Sequence, residues 1–97
     1  MSKVYLSIGS NKGNRSVLIN KAIDEIEKKV GKIISRSSIY QSKSWGFDSN
    51  DFYNLCLLID TDIVPKSLLV NLKKIEKSMG REDIDVSYSD RFIDIDI

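Results

Sequence analysis

Histidine is missing from this chain, and cysteine, proline and tryptophan each occur once. Without histidine there is no imidazole to act as a general base and no favoured zinc ligand. The lone Cys56 cannot close an internal disulfide, and Met1-Ser2-Lys3 leads into a strand-like run unlike the apolar core of a secretory signal, so a cytoplasmic location is expected. No apolar run approaches the roughly 20 residues a membrane-spanning helix needs. Charge of one sign is also lacking: fifteen Lys and Arg stand against fourteen Asp and Glu, for a net charge of +1. No overall field therefore draws the chain to nucleic acid or to a membrane, and any anion site must be built locally.

What is present is 41% hydrophobic content in 97 residues, which suits one small domain over 1–97 with a thin core. Val4 to Ile8 is a β-branched and aromatic run that stops at Gly9-Ser10-Asn11, so a strand followed by a polar loop is expected. From Arg15 to Val30 the residues Leu18, Ala22, Ile23, Ile26 and Val30 recur at helical spacing, with Asn14 or Ser16 as cap and Gly31 at the exit. Ile33 to Tyr40 reads as a second strand, Gln41 to Asp51 as a polar loop, and Phe52 to Asp60 as a third strand. Pro65 opens a second helix whose stripe of Leu68, Leu69, Leu72, Ile75 and Met79 ends at Gly80. Arg81 to Asp90 lacks periodicity and holds five charged residues, which predicts a surface loop, and Phe92 to Ile97 alternates as a last strand.

Two strand-helix-strand units joined by right-handed crossovers give an α+β, ferredoxin-like βαββαβ fold: a four-stranded antiparallel sheet with both helices on one face. In the third strand both faces are largely apolar, and Phe52, Asn54, Cys56 and Leu58 are expected on the face the helices leave open. That face needs a ligand, a partner or more chain, and self-association through it is expected.

In Ile93-Asp94-Ile95-Asp96-Ile97 the period of two sends the isoleucines to the core and both carboxylates to the opposite face, roughly 6.6 Å apart along the strand. Such a pair is either a solvated edge strand or a clamp for a hard dication, since Mg²⁺ takes one or two carboxylates and completes its shell with water and phosphate oxygens. The strand alone does not choose between them. Arg91 and Arg81 are guanidinium forks near enough in sequence to serve bound phosphates, although either alone reads as a surface arginine. Lys73 and Glu76 read as a surface ion pair on one helix face. Trp45, Phe47 and Phe52 surround a glycine-containing loop, with Asn54 beside Phe52. Aromatics plus an amide commonly hold a planar heterocycle, and local core packing explains the same residues without a ligand.

Taken in order, Tyr5-Leu6-Ser7-Ile8-Gly9-Ser10-Asn11, Ser37-Ser38-Ile39-Tyr40, Trp45-Gly46, Phe52-Tyr53-Asn54, Ile75-Glu76, Gly80-Arg81 and Arg91 to Ile97 resemble the 6-hydroxymethyl-7,8-dihydropterin pyrophosphokinases of folate biosynthesis. The resemblance implies transfer of a pyrophosphoryl group from ATP to 6-hydroxymethyl-7,8-dihydropterin. It implies that Asp94 and Asp96 hold two Mg²⁺ ions, that Arg81 and Arg91 neutralise the transferring group, and that Lys73, Glu76, Tyr88 and the Ile97 backbone lie along the ATP. It places the pterin among Ser42, Lys43, Trp45, Gly46, Phe52 and Asn54. Departures include Ser42-Lys43 where the family often has Thr-Pro, Tyr88 for a frequent Trp, Lys73 for a frequent Gln, and Asp83 in place of a loop arginine. The family continues past the aspartate strand with further ATP-binding and pterin-stacking residues, so weak or absent turnover by these 97 residues is expected. The rival reading is a non-catalytic ferredoxin-like ligand-binding module. RNA recognition is disfavoured, because acids stand on the last strand where a basic, aromatic sheet face is wanted.

Overall fold

The computed structural model describes residues 2–43, 51–80 and 92–97. Strand β1 (Ser2–Ser10) leads into helix α1 (Arg15–Lys29), where Asn14 accepts the Val17 N–H on its side chain at 3.3 Å and so satisfies one orphan donor of the first turn. Ile19, Ala22, Ile23 and Ile26 form the buried stripe. The helix closes with the N–H groups of Val30 and Gly31 both donating to the Ile26 carbonyl. Gly31 is demanded by crowding, since a Cβ there would lie 2.5 Å from the Asp60 carbonyl oxygen.

Strands β2 (Lys32–Arg36) and β3 (Tyr40–Ser42) both pair antiparallel with the long strand β4 (Phe52–Thr61). A single strand over Ile33 to Tyr40 and a loop from Gln41 were expected; the strand is instead interrupted and resumes through Gln41 and Ser42. Its register shifts between Ile33 and Ser35. Ser37 then occupies both polar groups of Cys56, its N–H donating to the Cys56 carbonyl and its Oγ accepting the Cys56 N–H, each at 2.9 Å. A serine hydroxyl thus stands where a ladder carbonyl was expected, a local competition typical of this residue.

Helix α2 (Pro65–Ser78) starts on Pro65, whose missing N–H costs nothing in a first turn, and ends before Gly80, at φ +101°. The short strand β5 (Asp94–Asp96) pairs with β1. The sheet order is β2-β4-β1-β5 with every neighbour antiparallel, and β3 extends the β2 side. Counting β2 and β3 as one interrupted strand recovers the ferredoxin-like βαββαβ arrangement.

Leu6 and Ile8 of β1, Leu55, Leu57 and Ile59 of β4, and Ile93 and Ile95 pack with the buried stripes of both helices in one cluster. Alternate residues of each strand therefore face the helices, and their neighbours face away. Two expectations change. Strand β1 does not stop before Gly9 but runs through Gly9 and Ser10, because both are paired to β4. Ile97 does not join Ile93 and Ile95 in the core; it is 61% exposed, beyond the last ladder residue.

Candidate functional site on the open sheet face

The register places two rows of side chains on the face away from the helices, because directly opposed residues of antiparallel strands share a face. One row runs Asp94, Gly9, Asn54, Tyr40 from β5 across to β3. The next runs Asp96, Ser7, Cys56. Asp94 is half-buried and Asp96 exposed, while the intervening Ile95 is buried. Both carboxylates thus stand on the open face, as the alternation predicted.

Gly9 fixes the middle of the first row. A Cβ there would meet Asn54 Oδ1 at 3.1 Å and Phe52 Cδ1 at 3.4 Å, so the missing side chain lets the amide and the ring lean over the β1 backbone. A glycine inside a strand often marks such a close approach. The Asn54 Nδ2 donates to Ser42 Oγ at 2.8 Å, with the Tyr40 carbonyl at 3.4 Å and the Phe52 carbonyl at 3.5 Å. Three oxygens around the nitrogen settle which way the amide points, and Oδ1 is left toward Gly9.

Tyr40 hydroxyl and Cys56 Sγ lie 3.8 Å apart across the same face, and that contact, with some burial, holds the phenol above the ordinary tyrosine pKa. At the entry to β4, Arg15 stacks on the Tyr53 ring at 3.9 Å and donates to the Asp51 carbonyl at 2.8 Å. The first turn of α1 therefore grips the segment that delivers Phe52 and Asn54.

Behind the aspartates, Glu76 of α2 is only 2% exposed, and its Oε2 accepts the Ile95 N–H at 3.3 Å. The expected surface pair with Lys73 is not formed: Lys73 is exposed, whereas Glu76 turns to the interior. Phe92, two residues before Asp94, is packed against Gly13 and Gly80 and carries the Lys12 ammonium 4.6 Å above its ring.

Of the residues singled out by sequence, the fold gathers Asp94, Asp96, Ser42, Phe52 and Asn54 on or beside one face, with Lys43 exposed after β3. Trp45, Gly46, Arg81, Tyr88 and Arg91 lie outside the described residues. Sequence reasoning missed the roles of Gly9, Arg15 and Tyr40. The signal for Gly9 was its place at the end of a strand-forming run. Among the described residues no group of three or more His, Cys, Asp or Glu is placed to hold a metal by itself.

An α+β, ferredoxin-like sheet with a polar open face is the class these features define. Residues 5–97 match the family model of 7,8-dihydro-6-hydroxymethylpterin-pyrophosphokinase, and the chain belongs to that family. It is 42% identical over 98 residues to a 2-amino-4-hydroxy-6-hydroxymethyldihydropteridine pyrophosphokinase of Aquifex aeolicus, covering all of this chain and 60% of that protein. A protein of the same name from Porphyromonas gingivalis is 36% identical over 100 residues, with 68% of its length covered. The folic acid synthesis protein fol1 of Pneumocystis carinii is 40% identical over 95 residues, which are 97% of this chain and 13% of that protein. The chain thus spans about three-fifths of the Aquifex relative.

Proposed function

We propose that the open face is where ATP and 6-hydroxymethyl-7,8-dihydropterin meet, and that the protein serves folate biosynthesis by pyrophosphoryl transfer between them. The observation that carries this reading is the row Asp94, Gly9, Asn54. It sets a carboxylate of metal-binding type two strand spacings, about 10 Å between backbones, from Asn54, with Gly9 between them leaving room for the amide and the Phe52 ring to lean inward.

Asp94 and Asp96 suit Mg²⁺, which takes few protein carboxylates and fills its octahedron with water and phosphate oxygens, so a two-carboxylate face without a third protein ligand is adequate. Two ions are proposed, and when bound they supply charge neutralisation on the polyphosphate. Arg81 and Arg91 share that neutralisation. Lys73, Tyr88 and the Ile97 backbone lie along the nucleotide, whereas Glu76, which the resemblance also assigns there, is buried and bonded to the Ile95 N–H behind the aspartates. Ser42, Lys43, Trp45, Gly46, Phe52 and Asn54 form the pterin pocket, in which Asn54 reads the polar edge of the ring and Phe52 covers its face.

In the reaction the pterin hydroxymethyl oxygen attacks the β-phosphorus, the bond from that phosphorus to the α,β-bridging oxygen breaks, AMP leaves and the hydroxyl proton is released. Positioning and charge carry this chemistry. A reducing compartment such as the cytoplasm suits the exposed free thiol of Cys56. Phe52, Cys56 and Leu58 further offer a strip through which two copies associate. Sedimentation is expected to show concentration-dependent dimers; monomer alone at high concentration contradicts that part.

The test is a fluorescence titration with the pterin alcohol and Mg-ATP, followed by an assay for AMP. Binding of both ligands at one face is expected, with Asn54→Ala weakening the pterin selectively. Little or no AMP is expected from these 97 residues, and AMP at an ordinary enzymatic rate contradicts that part. Nucleotide binding unchanged in Asp94→Ala and Asp96→Ala marks a ligand-binding module without the metal clamp, and failure of the pterin to bind overturns the reading.

A further inference from the structure

Strand β5 is three residues long and lies at the edge of the sheet, paired on one side to Ser7, Ile8 and Gly9 of β1. Short edge strands fray readily, because half their backbone groups lack a ladder partner. Yet both carboxylates of the proposed clamp ride on it, one at either end of Ile95. The Ile95 N–H is taken by Glu76 Oε2 at 3.3 Å, from a side chain that is 98% buried within α2's packed face. Glu76 also breaks the pattern of its own helix. It follows Leu72 by four positions and precedes Met79 by three, so it occupies the buried stripe formed by Leu68, Leu72 and Ile75. Buried glutamates are rare unless a specific partner holds them.

We propose that Glu76 is a positioning residue for the aspartate pair: its carboxylate stands in for a neighbouring strand, fixes the Ile95 backbone, and thereby holds Asp94 and Asp96 at the spacing the metal and phosphates require. This rests on the clamp reading of the two aspartates. Buried behind the strand, Glu76 acts through the backbone between the two aspartates. The packing of Phe92 against Gly13 and Gly80 holds the same strand just before its first residue, so Glu76 secures the centre and Phe92 the start. Two attachments leave the strand little freedom to twist its side chains away from a bound ion.

The experiment measures Mg²⁺-dependent binding of α,β-methylene-ATP, together with hydrogen exchange of the Ile95 amide, in the wild type and in Glu76→Gln, Glu76→Ala and Asp94→Asn. Gln retains an acceptor for the Ile95 N–H, so Glu76→Gln is expected to keep slow exchange and near-wild-type affinity. Glu76→Ala is expected to speed exchange at Ile95 and weaken Mg²⁺-dependent binding by about 10- to 100-fold, the range for residues that orient metal ligands. Should Glu76→Ala fail to fold, the Gln variant decides alone. A Gln variant that keeps Ile95 protected but loses the nucleotide overturns the inference, because Glu76 would then act by its charge on the ligand. Unchanged affinity in Glu76→Ala overturns it as well. The clamp reading fails separately, when Asp94→Asn binds the Mg²⁺ complex as tightly as wild type.

Discussion

Gly9 and Asn54 show how one missing side chain shapes a surface. A methyl group at Gly9 would press on the Asn54 Oδ1 at 3.1 Å and on the Phe52 ring, while Ser42 and the Tyr40 carbonyl hold the amide nitrogen in place. Gly9→Ala is therefore expected to tilt the amide and cost about 1–2 kcal/mol of pterin binding, the scale of one strained or lost hydrogen bond, measured by fluorescence titration. Tyr40 offers a pH test. Its folded pKa lies above the ordinary value, chiefly through the contact with Cys56, so the neutral phenol is favoured. The associated stability is fully present below the unfolded pKa and is lost as pH rises through the folded one. Ultraviolet titration of Cys56→Ala is expected to show the Tyr40 midpoint moving down; an unmoved midpoint contradicts the contact. At this scale the sequence displayed the aspartate alternation plainly, because a period of two needs no tertiary knowledge. It did not display the grip of Arg15 on Tyr53 and Asp51, which depends on contacts 36 and 38 positions away.

The helices were readable because their apolar stripes, Asn14, Pro65 and Gly80 are local signals, although Leu69, expected in the second stripe, is exposed, and Ile19, not expected in the first, is buried. The strand edges were less readable. The break between β2 and β3 turns on Ser37 hydrogen-bonding Cys56, nineteen positions away, and no periodicity in Ile33 to Tyr40 announces it. Glu76 misled for a different reason: a charged residue beside Lys73 looks like surface, although its spacing from Leu72 and Met79 already placed it in the buried stripe. The junction of α1 with β2 gives an element-scale prediction. Because a Cβ at Gly31 would stand 2.5 Å from the Asp60 carbonyl, Gly31→Ala is expected to cost about 1–3 kcal/mol through overpacking. Urea unfolding should show a lower midpoint with an unchanged slope. A midpoint equal to wild type would mean that the α1–β2 turn relaxes freely.

At the scale of the whole molecule, both helices cover one face of the sheet and leave the other to Asp94, Asp96, Asn54, Tyr40 and Cys56. The two faces divide the work: one supplies the buried core, and the other carries the polar groups that fit a nucleotide and a heterocycle. Thinness is the corollary, because a sheet packed on one side buries few residues, and Leu57→Ala is expected to cost about 2–5 kcal/mol, enough to unfold a substantial fraction of a domain this small. Circular dichroism against temperature reads that loss directly. The central claim concerns the open face, and the most direct measurement is calorimetric titration of α,β-methylene-ATP with and without Mg²⁺ in the wild type, Asp94→Asn and Asp96→Asn. Binding that requires Mg²⁺ and falls at least about tenfold in each variant, with the melting temperature unchanged, is the predicted result. Binding that is indifferent to Mg²⁺, or equally tight in both variants, would show that the aspartate pair is a solvated edge strand and not a metal clamp.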